Sequence, residues 1–327
     1  MMDIKSHIRA LGDWMMALGD LFLPRACLVC GRRLGMRERH LCLSCAADVP
    51  YTRFWLQAHN PLADRFNAML ERHRRTEPMD YAYAAALIYY KGDYRSIPRA
   101  LKYDGDLAAG RHFGALLGRR LAAAPHFGDI DLVIPVPLHW SRRFSRGYNQ
   151  AEILAHAITE ALSASRCAVS AGHNDSSADI PGKPRNLPEC RTDLLVRARR
   201  TRTQTRLSVE QKARNVASAF QVSKHFSLLD MIIRACERAL CRHFGRNPLC
   251  HSHRDPESPA TILASARHIL LVDDTFTTGA TLYACYAALR PYTSARISVA
   301  TLAAVEGTPS GTGGMPSAPK GSPSGGP

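Results

Sequence analysis

The chain has 327 residues, 46% of them hydrophobic, which is enough for one large or two modest domains with a full core. Its formal charge is +15, from 43 Lys+Arg against 28 Asp+Glu, which favours polyanionic partners: nucleic acid, anionic lipid or a phosphorylated small molecule. No apolar stretch approaches the roughly 20 residues that cross a bilayer, and no Gly-x-x-x-x-Gly-Lys-Ser/Thr occurs, so neither a membrane span nor a P-loop ATPase is expected.

At the amino terminus Ile4, Ile8, Leu11, Met15, Leu18 and Phe22 fall at helical spacing, while Asp13 and Asp20 interrupt any signal-peptide core. Residues 1–22 therefore read as an amphipathic helix packing on the next module. A helix lying on a membrane surface is the weaker option, because the polar face carries both signs of charge. A cytoplasmic location is the expectation.

Residues 23–60 hold two C-x-x-C pairs, Cys27/Cys30 and Cys42/Cys45. Each pair can aim two thiolates at one ion, and two pairs complete a tetrahedron, so structural Zn²⁺ is expected. The segment 31–41 would form the joining hairpin. Two disulfides or a redox C-x-x-C are the alternatives; a reducing compartment weighs against the first and the lack of a surrounding βαβ pattern against the second. Four protein ligands leave no open position, so the ion's work would be to fold a segment too short for its own core.

Residues 82–90 read as a strand, 91–93 as a turn, 95–102 as a short helix, and a second helix runs to about Ala123. Leu132–Pro137 reads as a buried strand stopped by prolines. A polar stretch, His139–Gln150, precedes a helix with apolar Ile153, Leu154, Ala157, Ile158 and Leu162. Farther on, Ser208 can cap a helix through Arg214 and Asn215, and residues 219–222 read as a short strand.

The most informative run is 269–281, Ile-Leu-Leu-Val-Asp-Asp-Thr-Phe-Thr-Thr-Gly-Ala-Thr. Four apolar residues suit a strand buried on both faces, as in a parallel sheet. Asp273 and Asp274 follow at its carboxyl end. The loop Thr277, Thr278, Gly279, Ala280, Thr281 then opens a helix with apolar Leu282, Tyr286 and Leu289. The carboxyl end of a strand meeting a helix amino terminus is where open α/β sheets bind ligands, and free N–H groups there favour a phosphate. The acid pair can accept hydrogen bonds from two neighbouring ribose hydroxyls or hold Mg²⁺ through water. The pattern suits a ribose 5-phosphate with a charged group on C1.

This run resembles the phosphoribosyl-diphosphate (PRPP) binding motif of type I phosphoribosyltransferases. The order of motifs along the chain is similar to that of the ComF family, the competence protein FC and GntX-type proteins: doubled C-x-x-C, Leu101-Lys102-Tyr103, Ile134-Pro135-Val136-Pro137-Leu138-His139, Arg146-Gly147-Tyr148-Asn149-Gln150-Ala151-Glu152, Thr201-x-x-Gln204-x-x-Leu207-Ser208, Arg214-Asn215 with Phe220, and the Asp-Asp run. The resemblance covers about residues 21–304. It implies a type I phosphoribosyltransferase-like parallel sheet flanked by helices over residues 80–306, behind the zinc module. It further implies PRPP, or a nucleotide, bound by Asp273, Asp274, Thr277, Thr278, Gly279, Ala280 and Thr281, with Mg²⁺ accompanying PRPP. Residues 135–139 would face pyrophosphate, and the stretch 199–207 would be a mobile hood. Lys102, Pro137, His139, Arg146, Asn149, Gln150, Thr201 and Gln204 become candidate contacts to pyrophosphate or nucleic acid. Asn149 and Gln150 can equally cap the next helix, and Lys102 can lie on a solvated face.

Two segments depart from the family pattern. Residues about 165–193 carry loop chemistry, and about 224–266 form a second insert with Leu229, Ile232, Ile233, Cys236, Leu240 and Phe244 at helical spacing. Cys241, Cys250, His251 and His253 fit no standard ligand spacing. The Gly/Pro/Ser-rich tail 307–327 should be disordered.

Two functions of different class follow. One is enzymatic, a phosphoribosyl transfer with no catalytic residue and no acceptor assignable; Thr277 stands where some purine enzymes of this fold carry an acid. The other is a binding protein of DNA uptake and natural transformation, sensing PRPP or contacting single-stranded DNA through interleaved Trp140, Arg142, Arg143, Phe144, Arg146 and Tyr148. A competence helicase and a recombinase loader are partners that the resemblance suggests.

Overall fold

A computed structural model describes residues 25–73, 80–172, 187–198, 219–223 and 258–306. The readings at 1–22, at Thr201, Gln204 and Ser208, at the cysteines and histidines of 241–253, and at 307–327 lie outside the described residues.

The framework is α/β, a five-stranded parallel sheet flanked by helices. In chain order the sheet strands are β1 (Ala84–Tyr89), β2 (Leu132–Pro135), β3 (Glu189–Cys190), β6 (His268–Phe276) and β7 (Arg296–Ala304). They lie side by side as β1-β7-β6-β2-β3, every neighbouring pair parallel. A separate antiparallel ribbon joins β4 (Leu195–Arg197) to β5 (Phe220–Val222). The helices are α1 (Leu43–Ala47), α2 (Pro61–Arg72), α3 (the helical stretch 92–104), α4 (Leu107–Ala122), α5 (Trp140–Arg146), α6 (Gln150–Gly172), α7 (Pro259–Ser265) and α8 (Ala280–Leu289).

Strand alternation divides the core between the two faces. Leu271, Ile269, Ile134 and Val299 pack with Phe66, Leu282 and Tyr286 of α2 and α8. Leu270, Val272, Val133 and Leu302 pack with Leu117, Leu121, Leu154 and Ile158 of α4 and α6. Ile269, Leu270, Leu271 and Val272 are all 0% exposed, as a strand covered on both faces requires. Helices α4 and α6 approach closely: a Cβ on Gly118 would lie 2.8 Å from the Ile158 carbonyl oxygen.

Several elements differ from the sequence expectation. β6 continues through both acids to Phe276, because Thr275 and Phe276 pair with Ala303 and Ala304 and Phe276 is buried. The ladder ignores side-chain charge where those side chains open into a cavity. The stretch after His139 contains α5. Helix α6 runs on to Gly172, into the segment read as loop, and that segment also supplies β3. Helix α2, unanticipated, begins with Pro61 after Asn60, whose Oδ1 accepts from the Leu62 and Ala63 N–H groups at 3.1 and 3.0 Å. Its Phe66 and Leu70 belong to the main core, so residues 61–72 extend the domain expected to start at 80.

The chain before α2 covers the outer side of β1. Tyr51 bridges Ile88 in antiparallel fashion. The Thr52 N–H donates to the Leu87 carbonyl at 3.2 Å, and the Tyr89 N–H donates to Pro50 at 2.9 Å. The Thr52 hydroxyl donates to the Ala86 carbonyl, Asn60 Nδ2 to that of Ala84, and Asn67 Nδ2 to that of Ala82.

At the opposite end of the strands His268 is fully buried. Its Nδ1 lies 2.6 Å from Asp129 Oδ1 and its Nε2 2.8 Å from Ser298 Oγ. The hydrogen bond to His268 holds Asp129 down to about 2. Ser298 is 0% exposed, so this Ser–His–Asp chain fastens β6 to β7 and offers no nucleophile to solvent.

Candidate functional site

In chain order the path from β2 to β3 moves one way across the sheet, and the path from β6 to β7 moves the other way. The carboxyl ends of β2 and β6 therefore flank the point where the strand order reverses, the site at which open α/β sheets bind ligands. A cavity of about 290 Å³ lies there, near the lower end of ligand-pocket volumes.

Its walls bring together residues far apart in the chain. Asp273, Asp274, Thr277 and Thr281 come from β6 and the turn after it, Pro137 from the end of β2, and Asn149 and Gln150 from the start of α6. Lys102 and Arg146 reach in from α3 and α5. The acids and the threonine turn thus share one cavity. Thr278, Gly279 and Ala280 are not among its walls; they shape the turn from behind. His139 is buried and also outside the lining: its carbonyl accepts the N–H groups of Arg142 and Arg143 at 2.9 and 3.0 Å, starting α5.

Gly279 has φ +81°, the left-handed region, and a Cβ there would lie 2.7 Å from the ring tip of Phe276. Phe276 is 1% exposed, with the Arg65 guanidinium 5.4 Å from its ring centre. Arg65 also donates to the Thr277 carbonyl at 2.7 Å, holding the turn from the side of α2. Gly279 at the N-cap has no side chain to offer α8; the Ala280 N–H instead donates to the Thr278 hydroxyl at 3.4 Å. Gly279→Ala should destabilise the protein by about 2 kcal/mol or more, from the left-handed cost plus the clash. Gly279→Asn should fare no better, because asparagine tolerates the dihedral but still carries the Cβ; urea denaturation of both variants checks this.

The acid pair is asymmetric. Asp274 is 8% exposed and accepts from Lys102 Nζ at 2.9 Å. Asp273 accepts the Asp274 N–H on Oδ1 at 2.8 Å. Burial, and next the Asp274 carboxylate, push Asp273 up to about 7. A raised carboxyl binds its proton better folded than unfolded, so the contribution of Asp273 to stability is fully present below about pH 4 and is lost as pH rises through about 7. Asp273→Asn should therefore raise the thermal midpoint at pH 8 and leave it unchanged at pH 4, a gain on the order of 2 kcal/mol at the higher pH.

The remaining walls are cationic and amide-rich. Asn149, 2% exposed, caps α6 by accepting the Ala151 N–H and donates to the Val136 carbonyl, both at 3.1 Å. Gln150, also 2% exposed, accepts from Arg146 at 3.2 Å, yet its Nε2 has no hydrogen-bond partner. An unsatisfied buried amide in a cavity wall leaves a donor for an acceptor oxygen, from a ligand or from water. Arg146 also lies over the Tyr103 ring at 5.5 Å. Arg197, on the ribbon, was not anticipated, although Leu-Val-Arg beside Phe-Gln-Val carries a short alternating pattern. Burial, and next the charge of Arg142, hold Arg197 below its ordinary value; both residues line the cavity. In all, four cationic side chains face two carboxylates. That balance invites an anion. It gives a resident Mg²⁺ a poor seat, because Lys102 already engages Asp274 and Asp273 is drawn toward its neutral form.

The second centre is the cysteine cluster. The ligand atoms of Cys27, Cys30, Cys42 and Cys45 lie within 4.8 Å of one another, and Cys30 Sγ is 3.7 Å from Cys42 Sγ. A Zn–S distance of about 2.3 Å implies tetrahedral edges of about 3.8 Å, whereas a disulfide needs about 2.05 Å. The Cys42 N–H donates to Cys27 Sγ at 3.3 Å and the Cys45 N–H to Cys42 Sγ at 3.5 Å. Burial alone would raise Cys27, but N–H donors of Cys30, Cys42 and Val29 outweigh it and hold the thiol down to about 6. Desolvation and the surrounding sulfurs push Cys45 up to about 12. Such crowding of thiols is relieved by a cation, and the donor set fits a structural metal such as zinc. The Tyr94 hydroxyl donates to the Cys45 carbonyl at 2.9 Å, tying the module to the sheet domain.

Among the described residues no helix is long and apolar enough to cross a membrane. No family model matches the chain, and no curated protein matches it.

Proposed function

We propose that the cavity at the ends of β2 and β6 binds a 5-phosphorylated ribose bearing a second anionic group, with PRPP the fitting ligand. On this reading the chain is a type I phosphoribosyltransferase-like protein of the ComF kind, serving DNA uptake or use of external DNA. One observation carries it: the acid pair, Thr277 and Thr281 at the two ends of the turn, and the four cationic side chains line the same cavity. Neighbouring ribose hydroxyls donate to Asp273 and Asp274, the turn and the start of α8 receive the 5-phosphate, and Arg142, Arg146 and Arg197 face the pyrophosphate. Gln150 Nε2 donates to a ligand oxygen. In a transfer reaction of this type the C1–oxygen bond to pyrophosphate breaks, C1 passes through an oxocarbenium-like state and an acceptor atom bonds to it, while the cationic wall stabilises the charge on the leaving pyrophosphate. Mg²⁺ accompanying such a ligand would supply further positive charge at its pyrophosphate. Isothermal titration of the zinc-loaded protein with PRPP tests the reading; absence of heat at millimolar ligand ends it.

A second reading, single-stranded DNA binding, is favoured by the surface beside the cavity. Phe144 is 91% exposed and Tyr103 68% exposed, next to Arg143 and Arg146. Bases stack on exposed rings while arginines follow the backbone. Oligonucleotide affinity should then fall steeply with salt, and a flat response removes this reading. The helicase and recombinase loader remain the protein partners to try first.

A further inference from the structure

Lys102 is placed by a rigid frame rather than by a drifting surface chain. It sits in the π-helical turn Ala100–Asp104, which Gly105 closes at φ +69°. The Tyr148 hydroxyl donates to the Leu101 carbonyl from the far side. Its Nζ meets Asp274 Oδ1 at 2.9 Å, with side-chain exposures of 27% and 11%. The pair is therefore shielded from water and stronger than a surface ion pair. An ammonium has three donors. With one on Asp274, two remain for ligand oxygens or water.

We infer that Lys102 is the resident cation of the sugar site, holding the position at Asp274 that a divalent metal would otherwise take, so that the anionic sugar phosphate binds without added metal. The inference rests on the proposed ligand for its binding arm and on the apo geometry for its metal arm. Mg²⁺ needs near-octahedral oxygen ligands at about 2.0–2.1 Å and enters through one or two carboxylates. Here Asp274 is engaged and Asp273 Oδ1 already accepts a backbone N–H. Arg142, Arg146 and Arg197 add repulsion for any bare cation. Burial of Asp273, which favours its neutral form, acts in the same direction.

The experiment uses the full zinc-loaded chain. Mn²⁺ titration followed by electron paramagnetic resonance should find no site in the wild type that depends on Asp274. Lys102→Met should gain one Mn²⁺ site, and adding Asp274→Asn to that variant should remove it again. Calorimetry with PRPP in metal-depleted buffer should give the wild type an affinity within about threefold of that with Mg²⁺. Lys102→Met should lose at least tenfold without Mg²⁺ and regain most of it with Mg²⁺, while Lys102→Arg keeps metal-free binding. A wild-type Mn²⁺ site abolished by Asp274→Asn overturns the inference, as does a tenfold dependence of wild-type PRPP affinity on Mg²⁺. If PRPP gives no heat in either buffer, the ligand reading fails and the Mn²⁺ arm still decides the role of Lys102.

Discussion

Replacing Asp273 and Asp274 together by asparagine is expected to weaken PRPP binding about a hundredfold, roughly 3 kcal/mol, while the fold persists. Hydrogen bonds from hydroxyls to a carboxylate contribute about 1.5–3 kcal/mol each, and an amide oxygen returns only part of that. Two effects oppose the loss. Lys102, released from Asp274, adds attraction for the anion, and the cavity loses two negative charges. The loss should still dominate, because phosphates are attracted by charge from many directions whereas the ribose hydroxyls depend on acceptors in one place. The backbone of β6 pairs with β7 on both sides of the acids, so circular dichroism should be unchanged, and the thermal midpoint should stay near the wild-type value because relief at Asp273 offsets the lost Lys102–Asp274 pair. Titration of the double variant with PRPP reads the result; unchanged affinity would mean that the sugar lies elsewhere.

The second large effect concerns the four thiols. Elemental analysis should find one zinc per chain, and a content well below one contradicts the site. Cys27→Ser with Cys42→Ser should lower the thermal midpoint by about 10 °C or more. Structural zinc contributes about 10–16 kcal/mol to isolated finger peptides, and a shift of 10 °C corresponds to only about 3–5 kcal/mol in a domain of this size. The lower expectation reflects the apolar anchoring that would remain. Leu34, Leu41 and Val49 share a buried cluster with Leu87 and Phe113, so part of the module stays attached without the ion.

Much of the fold was legible because its signals are local. The apolar run 269–272 declares a strand covered on both faces, and Gly279 after Thr277 and Thr278 declares a turn. The doubled C-x-x-C declares, through spacing alone, a four-thiol cluster able to hold a metal. What stayed hidden depends on long-range pairing or on very short elements. Lys102 and Asp274 are 172 positions apart, and nothing near either one announces the other. Arg197 lies on a three-residue strand paired with β5, and an alternation that short does not by itself separate strand from loop. Helix α5 shows no apolar stripe, since Arg142, Arg143 and Arg146 dominate it. Helix α2 was readable in principle: Asn60 before Pro61, then Leu62, Phe66 and Leu70 at four-residue spacing.

The segment that covers β1 has a consequence for solubility. The carbonyls of Ala82, Ala84, Ala86 and Leu87 are all occupied by residues 52–67, and Pro50 takes the Tyr89 N–H. A margin strand so occupied cannot template addition of a strand from another molecule. Pro50 and Thr52 follow directly on the cysteine knuckle, so the integrity of that knuckle guards against self-association as well as unfolding. Loss of a metal bound there would loosen the Pro50–Thr52 part of this cover, while Asn60 and Asn67 would keep theirs on Ala84 and Ala82, so the Ala86–Tyr89 end of β1 is where a neighbour's strand would first be recruited.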